Sequence, residues 1–219
     1  KLATDANGVT ITGTVATLIS PNNGQGEIAF GDAEDANIGR FAYNHASNFL
    51  ATVVNTTEYM RIHSNGVTSI PQGVALGVAV SANTASNVLD DYEEGTCTIQ
   101  YSDGSTAVGS ANTSKYTKVG RQVTVNGYIN VVNIDALTDA SAIRLAGFPF
   151  TATSDTTFSF FSRFINAPDN TINIVGYLAN NTTYAQIYAM VDNAAYHNVI
   201  CGEVGNNNDL YFGVTYTAA

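Results

Sequence analysis

The stretch LDDYEEGTCTIQYS at residues 89–102, followed at residues 114–128 by SKYTKVGRQVTVNGY, marks a change in the character of the chain. Before it, β-prone runs are short and hold only five aromatic residues: Phe30, Phe41, Tyr43, Phe49 and Tyr59. After it, the runs are longer and contain the remaining Tyr and Phe residues. We therefore predict two regions, a β-rich segment at 1–88 and a C-terminal β-domain at 89–219.

The composition favours strands and turns over helices along the whole chain. Of the 219 residues, 12% are charged and 45% are hydrophobic, with 12 Tyr, 10 Phe, 19 Gly, 4 Pro and no Trp. Helices of globular proteins normally cover their exposed faces with Glu, Lys and Arg, whereas Val, Thr, Tyr and Phe are enriched in strands. Because a chain of this length can bury one or two cores, we predict an all-β fold.

The first region contains short β-prone runs separated by turn residues. The runs read GVTITGTVA, GEIAF, RFAYN, FLATVV, YMRIHS and GVTSI, and the turns include Asn-Asn-Gly at 22–24 and Asn-Gly at 65–66. Runs this short, with few large apolar residues, build a poor core in one chain. We therefore expect a short-stranded, intertwined trimeric shaft in which three chains share one core.

The second region contains longer alternating or apolar runs with Gly, Asn and Asp turns between them. They lie at residues 97–101, 122–132, 142–145, 157–165, 171–178, 185–191, 198–204 and 210–216. Seven or eight strands at this spacing are typical of an antiparallel, jelly-roll-like β-sandwich head.

Charge and hydropathy exclude several kinds of partner. The net charge is −10, from 18 acidic and 8 basic residues, and no two basic residues are adjacent. Nucleic acid is not expected, since phosphate binding needs a basic surface. Membrane insertion is not expected either, because no apolar run approaches the roughly 20 residues that span a bilayer. Cys97 and Cys201 form either a disulfide or two buried thiols, and the thiols are favoured because nothing marks secretion.

The acidic and histidine residues do not form a catalytic or metal-binding pattern. One acidic cluster lies at the border between the regions: Asp90, Asp91, Glu93 and Glu94. Glycoside hydrolysis needs two carboxylates on opposite sides of the substrate, so this cluster reads as a solvated boundary. The turn GDAEDANIG at 31–39 offers oxygen ligands for calcium but departs from the EF-hand spacing.

Metal and nucleophile chemistry find no further support in the sequence. The three histidines lack nearby His or Cys partners: His45, His63 and His197. A ring of three His63 side chains on a threefold axis remains a hypothesis for an ion or pH-sensitive site. There is no Gly-x-Ser-x-Gly elbow and no phosphate-binding loop. We expect no enzyme activity, no cofactor and no metal.

The late loops of the second region carry candidate ligand-binding residues. Carbohydrate-binding sandwich domains place exposed aromatic rings against sugar faces, with Asn and Asp side chains bonding the hydroxyls. Residues of these types are Tyr184, Tyr196, His197, Asn198, Asn207 and Asp209. Each Tyr is also compatible with a half-buried strand position, and each Asn with a turn.

Four short runs resemble tail fibre and related receptor-binding proteins of tailed bacteriophages. Those proteins commonly carry an acidic YEEGT block and then a YTKIG-R-VTV strand, and here YEEGTCT at 92–98 and YTKVGRQVTV at 116–125 match. YMRIHSNG at 59–66 and LAGFPF at 145–150 are similar to two further segments of the family. One position departs, because Cys97 stands where the family usually has Trp.

The resemblance implies a virion protein of the tail. It implies a homotrimer that joins other virion tail proteins and whose distal head binds a glycan or protein on the host surface. Two alternatives stay open. One is a head fibre, collar fibre or decoration protein without receptor binding, and the other is a tailspike-like enzyme that degrades surface polysaccharide.

Overall fold

The chain is all-β, as the sequence predicts. The computed structural model describes residues 17–76, 88–89, 91–109, 113–131 and 133–218. Within these residues all strand pairs are antiparallel, and the one helical element is a 3-10 turn at Cys201–Glu203. The chain divides into two compact units, Lys1–Asp90 and Asp91–Ala219.

The first unit contains a five-stranded sheet whose strands follow one another in chain order. They are β1 (Gln25–Phe30), β2 (Gly39–Asn44), β3 (Phe49–Val54), β4 (Thr57–Ile62) and β5 (Thr68–Ser69). Asn55 and Thr56 join β3 to β4 with φ of 49° and 61°, the conformation of a tight two-residue hairpin. Two short strands, β6 (Val74–Ala75) and β7 (Val88–Leu89), pair separately.

One face of this sheet is polar and internally paired. Glu27 and Arg40 approach to 3.5 Å, and Glu58 binds Arg61 through two hydrogen bonds of 2.5 and 2.7 Å. The Arg61 guanidinium also lies 3.8 Å from the centroid of the Phe49 ring. These long side chains cover three small buried residues, which are Ala42, Ala51 and Val53.

The opposite face of the same sheet is apolar and exposed. Strand alternation places six large side chains there, each between 39% and 57% exposed: Ile28, Phe30, Phe41, Tyr43, Leu50 and Val54. We call this set the apolar face. A sheet normally buries its apolar side against a second layer of structure.

The second unit contains eleven strands in one hydrogen-bonded sheet. They are β8 (Tyr92–Thr98), β9 (Gln100–Ser102), β10 (Ala107–Val108), β11 (Thr113–Val119), β12 (Gln122–Val131), β13 (Arg144–Ala146), β14 (Thr156–Ser162), β15 (Thr171–Leu178), β16 (Tyr184–Val191), β17 (His197–Asn198) and β18 (Asn208–Thr217). The order is β10-β9-β13-β16-β15-β14-β18-β12-β11-β8, with β17 beside β16.

Strand β14 is the point where this sheet curls. Its residues 156–159 pair with β15, and its residues 160–162 pair with β18. One strand therefore belongs to both halves of the sheet. Since successive side chains of a strand point to opposite sides, the halves enclose one set of side chains and expose the other.

The enclosed core is aromatic where the sheet curls. The Phe148 ring packs 6.4 Å from Phe158, 6.2 Å from Phe212 and 5.9 Å from Tyr216. Two glycines leave room for these rings. A Cβ at Gly176 would lie 2.3 Å from Phe158, and one at Gly127 would lie 2.5 Å from Phe212.

The two runs quoted at the start of the second region are neighbours in the sheet. Strands β8 and β11 pair so that Gly95 faces Tyr116, and a Cβ at Gly95 would lie 2.4 Å from the tyrosine hydroxyl oxygen. That hydroxyl donates to Glu93, and buried Lys118 pairs with Asp91. The spacing of the Gly, Tyr and Lys in these runs therefore has a packing reason.

The structure corrects one sequence prediction, a strand at 198–204, and decides between the two alternatives for the cysteines. The run at 198–204 is not one strand, because β17 ends at Asn198 and the 3-10 turn follows. The Glu203 carboxylate accepts the backbone N–H of Ile200 at 3.0 Å, which stabilises the turn. Cys97 and Cys201 are free thiols, the first half-buried and the second buried.

Substituting Gly176 with Ala should destabilise the second unit. The added methyl group would enter the space of the Phe158 ring, and overpacking of this kind costs about 1–3 kcal/mol. The free energy of unfolding, measured by urea denaturation, checks this. Gly213→Ala is the matched control, because its Cβ would approach only the flexible Asn126 side chain, at 2.9 Å. Equal stability of both variants would contradict the packing role of Gly176.

Candidate functional site

The outer surface of β15 and β16 carries an open cleft of about 410 Å³. Its lining residues come from β14, β15, β16 and the loop before β17: Thr157, Val175, Tyr177, Tyr188, Met190 and Tyr196. We call this set the tyrosine cleft.

Strand alternation explains why Tyr177 and Tyr188 point outward from the sheet. In the run YAQIYAMV of β16, Ala185, Ile187 and Ala189 point into the core, so Tyr184, Tyr188 and Met190 point outward. The same alternation on β15 points Gly176 and Leu178 inward and Tyr177 outward. The register of β15 and β16 pairs Tyr177 with Gln186 and Tyr188 with Val175, so the two outward tyrosines are diagonal neighbours.

Three rings form the apolar part of the cleft. The centroids of Tyr177 and Tyr188 are 5.8 Å apart at 63°, and those of Tyr188 and Tyr196 are 4.9 Å apart at 80°. Both arrangements are edge-to-face, the geometry that the ring quadrupoles favour. Tyr196 is 67% exposed, so one ring of the group stands open to a ligand.

The hydroxyl groups of Tyr177 and Tyr188 are neutral at physiological pH. Partial burial and the neighbouring Tyr196 raise the pKa of Tyr188, and partial burial together with Asp155 raises the pKa of Tyr177. Tyr188 donates to the Gln186 carboxamide at 2.8 Å. Among the residues that the structure describes, no charged side chain lines the cleft. This combination suits a neutral ligand with an apolar face and several hydroxyl groups.

Three of the sequence-predicted residues lie at or beside the cleft. Tyr196 lines it, and exposed Asn198 pairs across the ladder with Tyr188. Tyr184 shares the outer face of β16 but lies outside the lining, because the Arg144 guanidinium stacks 4.5 Å from its ring centroid.

The other three predicted residues lie elsewhere. His197 contacts both Glu203 carboxylate oxygens at 2.8 Å, a bond that anchors the 3-10 turn. Asn207 is exposed with φ of 58° in the turn before β18. Asp209 belongs to a polar group on β18, described below. The six residues therefore do not form one site, and sequence reasoning missed Tyr177 and Tyr188.

Asp209 accepts three side-chain hydrogen bonds. Its Oδ1 accepts from the Tyr128 hydroxyl at 2.8 Å and from Asn130 Nδ2 at 2.5 Å, and its Oδ2 lies 2.5 Å from an Arg163 nitrogen. Mainly through the Asn130 and Tyr128 bonds, the pKa of Asp209 is lowered. The hydrogen bond that Tyr128 donates to Asp209 raises the pKa of Tyr128 to about 12.

The acidic cluster at the border makes ordinary structural bonds. Asp91 pairs with Lys118, Glu93 accepts from Tyr116, and Glu94 accepts from Tyr92. Asp90 lies outside the described residues. Of the three described carboxylates, those of Asp91, Glu93 and Glu94, none lines the tyrosine cleft.

The other polar residues considered for metal binding have local partners. Asp32 accepts the backbone N–H groups of Glu34 and Asp35, which makes the turn at 31–39 self-contained. His63 contacts the Ser69 hydroxyl at 2.9 Å, and the His45 ring packs on Tyr43. Across the part of the chain that the structure describes, no three His, Cys, Asp or Glu side chains group as metal ligands would.

Comparisons with known proteins do not place the chain in a family. No protein-family model and no curated protein matches it. Among the described residues there is no helix long and apolar enough to cross a bilayer.

The stability contributed by Asp209 should depend on pH. Because its pKa is lowered in the folded chain, its bonds stabilise the fold above the ordinary aspartate pKa of about 4 and lose this effect as the pH falls. We expect Asp209→Asn to lower the urea midpoint at pH 7, and the gap to wild type to shrink on acidification. Urea unfolding of both proteins across that range is the measurement, and a constant gap would contradict it.

Proposed function

We propose that this chain is a virion structural protein of a tailed phage, a homotrimeric tail fibre whose distal head binds the host cell surface. The observation that carries the proposal is the tyrosine cleft, a surface of three contacting rings on β15, β16 and the loop before β17. The resemblance of residues 92–98 and 116–125 to phage fibre proteins supports the same conclusion.

The cleft favours a glycan as the receptor, with a protein receptor as the other possibility. The open Tyr196 ring offers a flat apolar face, and sugars present C–H groups on one side of the pyranose ring. Tyrosine hydroxyls and the neighbouring Asn198 amide supply hydrogen-bonding groups at the rim. Tyr177, Tyr188 and Asn198 lie on strands and Tyr196 directly precedes β17, and this preorganisation lowers the entropic cost of binding.

The apolar face supports the trimer. Six large side chains on a single-layered sheet are exposed, while the other face is closed by its ion pairs. The chain gains about 25 cal/mol per Å² when such surface is buried. Three copies of the first unit, forming an intertwined shaft, would cover the apolar faces with one shared core.

We assign the second unit to the jelly-roll-like sandwich class and the protein to the virion tail. The curl at β14 and the enclosed aromatic core support the sandwich. Other virion tail proteins are the expected partners of the fibre. No enzyme activity is proposed, since Asp91, Glu93 and Glu94, the described carboxylates considered for hydrolysis, have structural bonds and lie outside the cleft.

Substituting Tyr196 or Tyr188 with Ala should weaken binding to the host surface. Loss of a central aromatic contact costs about 2 kcal/mol or more, so we expect at least about a tenfold loss of affinity. Labelled protein titrated against a panel of bacterial strains, and read by flow cytometry, measures this.

The matched control is Ile172→Ala, since Ile172 is as exposed as Tyr196, at 67%, and lies outside the cleft. Unchanged binding by both tyrosine variants would contradict the site. Labelling of virion heads or collars by an antibody against the chain would contradict the tail assignment and favour a decoration protein. Release of reducing sugar from surface polysaccharide would favour a tailspike-like enzyme.

Substituting Phe41 with Glu should dissociate the trimer. The substitution places a carboxylate in the shared core, where an unpaired charge is strongly disfavoured. Size-exclusion chromatography with light scattering should give roughly 69 kDa for wild type, three chains of 23.0 kDa, and the single-chain mass for the variant.

Ala29→Glu is the control for this experiment. Ala29 is exposed and pairs with Arg40 on the polar face, so a carboxylate there should leave the mass at three chains. A wild-type mass of one chain, or a trimeric Phe41→Glu variant, would contradict the shaft.

A further inference from the structure

A row of three aromatic side chains crosses the outer surface of the second unit, on strands that do not form the centre of the tyrosine cleft. The register sets Tyr128 of β12 opposite Tyr211 of β18, and Tyr211 opposite Phe161 of β14. The two tyrosine rings stack at 4.4 Å and 25°, and Phe161 lies 6.3 Å from Tyr211. We call these three residues the aromatic row.

The aromatic row is open to solvent. Phe161 is 73% exposed and Tyr211 is 48% exposed. Strand alternation explains the exposure, because Phe160 and Phe212 of the same strands turn toward the core and leave their neighbours outside. Adjacent exposed rings add nothing to the core of the chain, and exposed patches of this kind commonly mark binding sites.

A recess of about 430 Å³ lies along one side of the row. Its walls include the Tyr211 and Phe161 rings, and its polar groups are Asn126 and Ser159. Gly213 pairs with Asn126 and leaves the floor of the recess open, since any larger residue would place a side chain there. The recess thus joins an aromatic wall to an amide and a hydroxyl group.

The other side of the row carries charged and polar groups. Asn130, Asp209 and Arg163 are connected by the hydrogen bonds described above, and Arg163 is 55% exposed. Asp209 holds its negative charge at neutral pH because its pKa is lowered. The guanidinium is thus already paired with a carboxylate, which leaves the group close to electrically neutral.

These features select one class of ligand. A long apolar peptide or a lipid surface would need a wide apolar patch, whereas here polar side chains border three rings on both sides. A polyanion is disfavoured by the net charge of −10 and by the paired state of Arg163. A pyranose has the right chemistry, because its C–H face suits the rings and its hydroxyls suit Asn126 and Ser159.

We propose that the aromatic row and its recess form a second saccharide-binding site, which takes a neutral pyranose unit of a glycan. This second site depends on the proposed function in one respect only, the choice of a glycan as the class of ligand. The lining residues of the recess and those of the tyrosine cleft do not overlap. Strand β14 contributes to both, with Thr157 in the cleft and Phe161 in the row, roughly 13 Å apart along an extended strand.

The test uses the full chain on a printed array of neutral oligosaccharides beside their sialylated counterparts. Wild type should bind neutral members, and Phe161→Ala should lower the affinity for a subset at least about tenfold. Gly213→Ala should weaken the same subset, because its methyl group occupies the recess. Ile172→Ala should bind as wild type does. Thermal unfolding of each variant confirms that the fold is retained.

Variants of the two sites separate this inference from the proposed function. Loss of array binding in Phe161→Ala with normal binding in Tyr196→Ala supports the second site and overturns the cleft. Loss only in Tyr196→Ala overturns the second site and leaves the cleft standing. Selective binding of sialylated members, or no binding to the array by a protein that still labels cells, also overturns the second site.

Discussion

The packing of the Phe158 ring against Gly176 is the constraint on which the second unit depends. The two residues face each other across β14 and β15, and the ring also meets Phe148 and Phe212. Just beyond this contact, β14 leaves β15 and pairs with β18. The curl of the sheet therefore occurs where large aromatic rings pack in the core and Gly176, which has no side chain, leaves room for them. Because a strand alternates its side chains, the same curl determines which tyrosines remain outside.

The two units differ in how far their large apolar side chains are covered. The second unit curls and covers its own core, which contains buried residues from almost every long strand. In the described part of the first unit, five strands lie in one layer, and the buried hydrophobic residues are only Ala42, Ala51 and Val53. These three side chains are small and form a thin core beneath the ion pairs of the polar face. The six large side chains of the apolar face are exposed to solvent. The trimer proposed above would bury these side chains, since identical chains carry identical faces.

The sequence was enough to predict an all-β chain from its composition and the spacing of its β-prone runs, and the aromatic residues of its late loops include Tyr196, which lines the cleft. It did not predict the tyrosine cleft, because Tyr177 and Tyr188 meet only through the register of β15 and β16. It also misassigned residues 198–204, where a Glu203 side chain bonds a backbone N–H and turns the chain. The grouping of Asp209 with Tyr128 and Asn130 joins residues about 80 positions apart. Such pairings depend on the strand order, which local patterns do not specify.

The outward aromatic side chains of the two surfaces lie on strands, except Tyr196, and this placement has a consequence for binding. A ring fixed by its strand loses little conformational freedom when a ligand arrives, yet one ring against one sugar gives weak affinity. Repetition compensates for this weakness. In the proposed trimer each surface is present three times, and a second binding event on the same cell surface becomes effectively intramolecular, which raises avidity without any new contact. If the proposed trimer binds a glycan-covered surface, its few charges and many outward rings would therefore act through weak, repeated contacts.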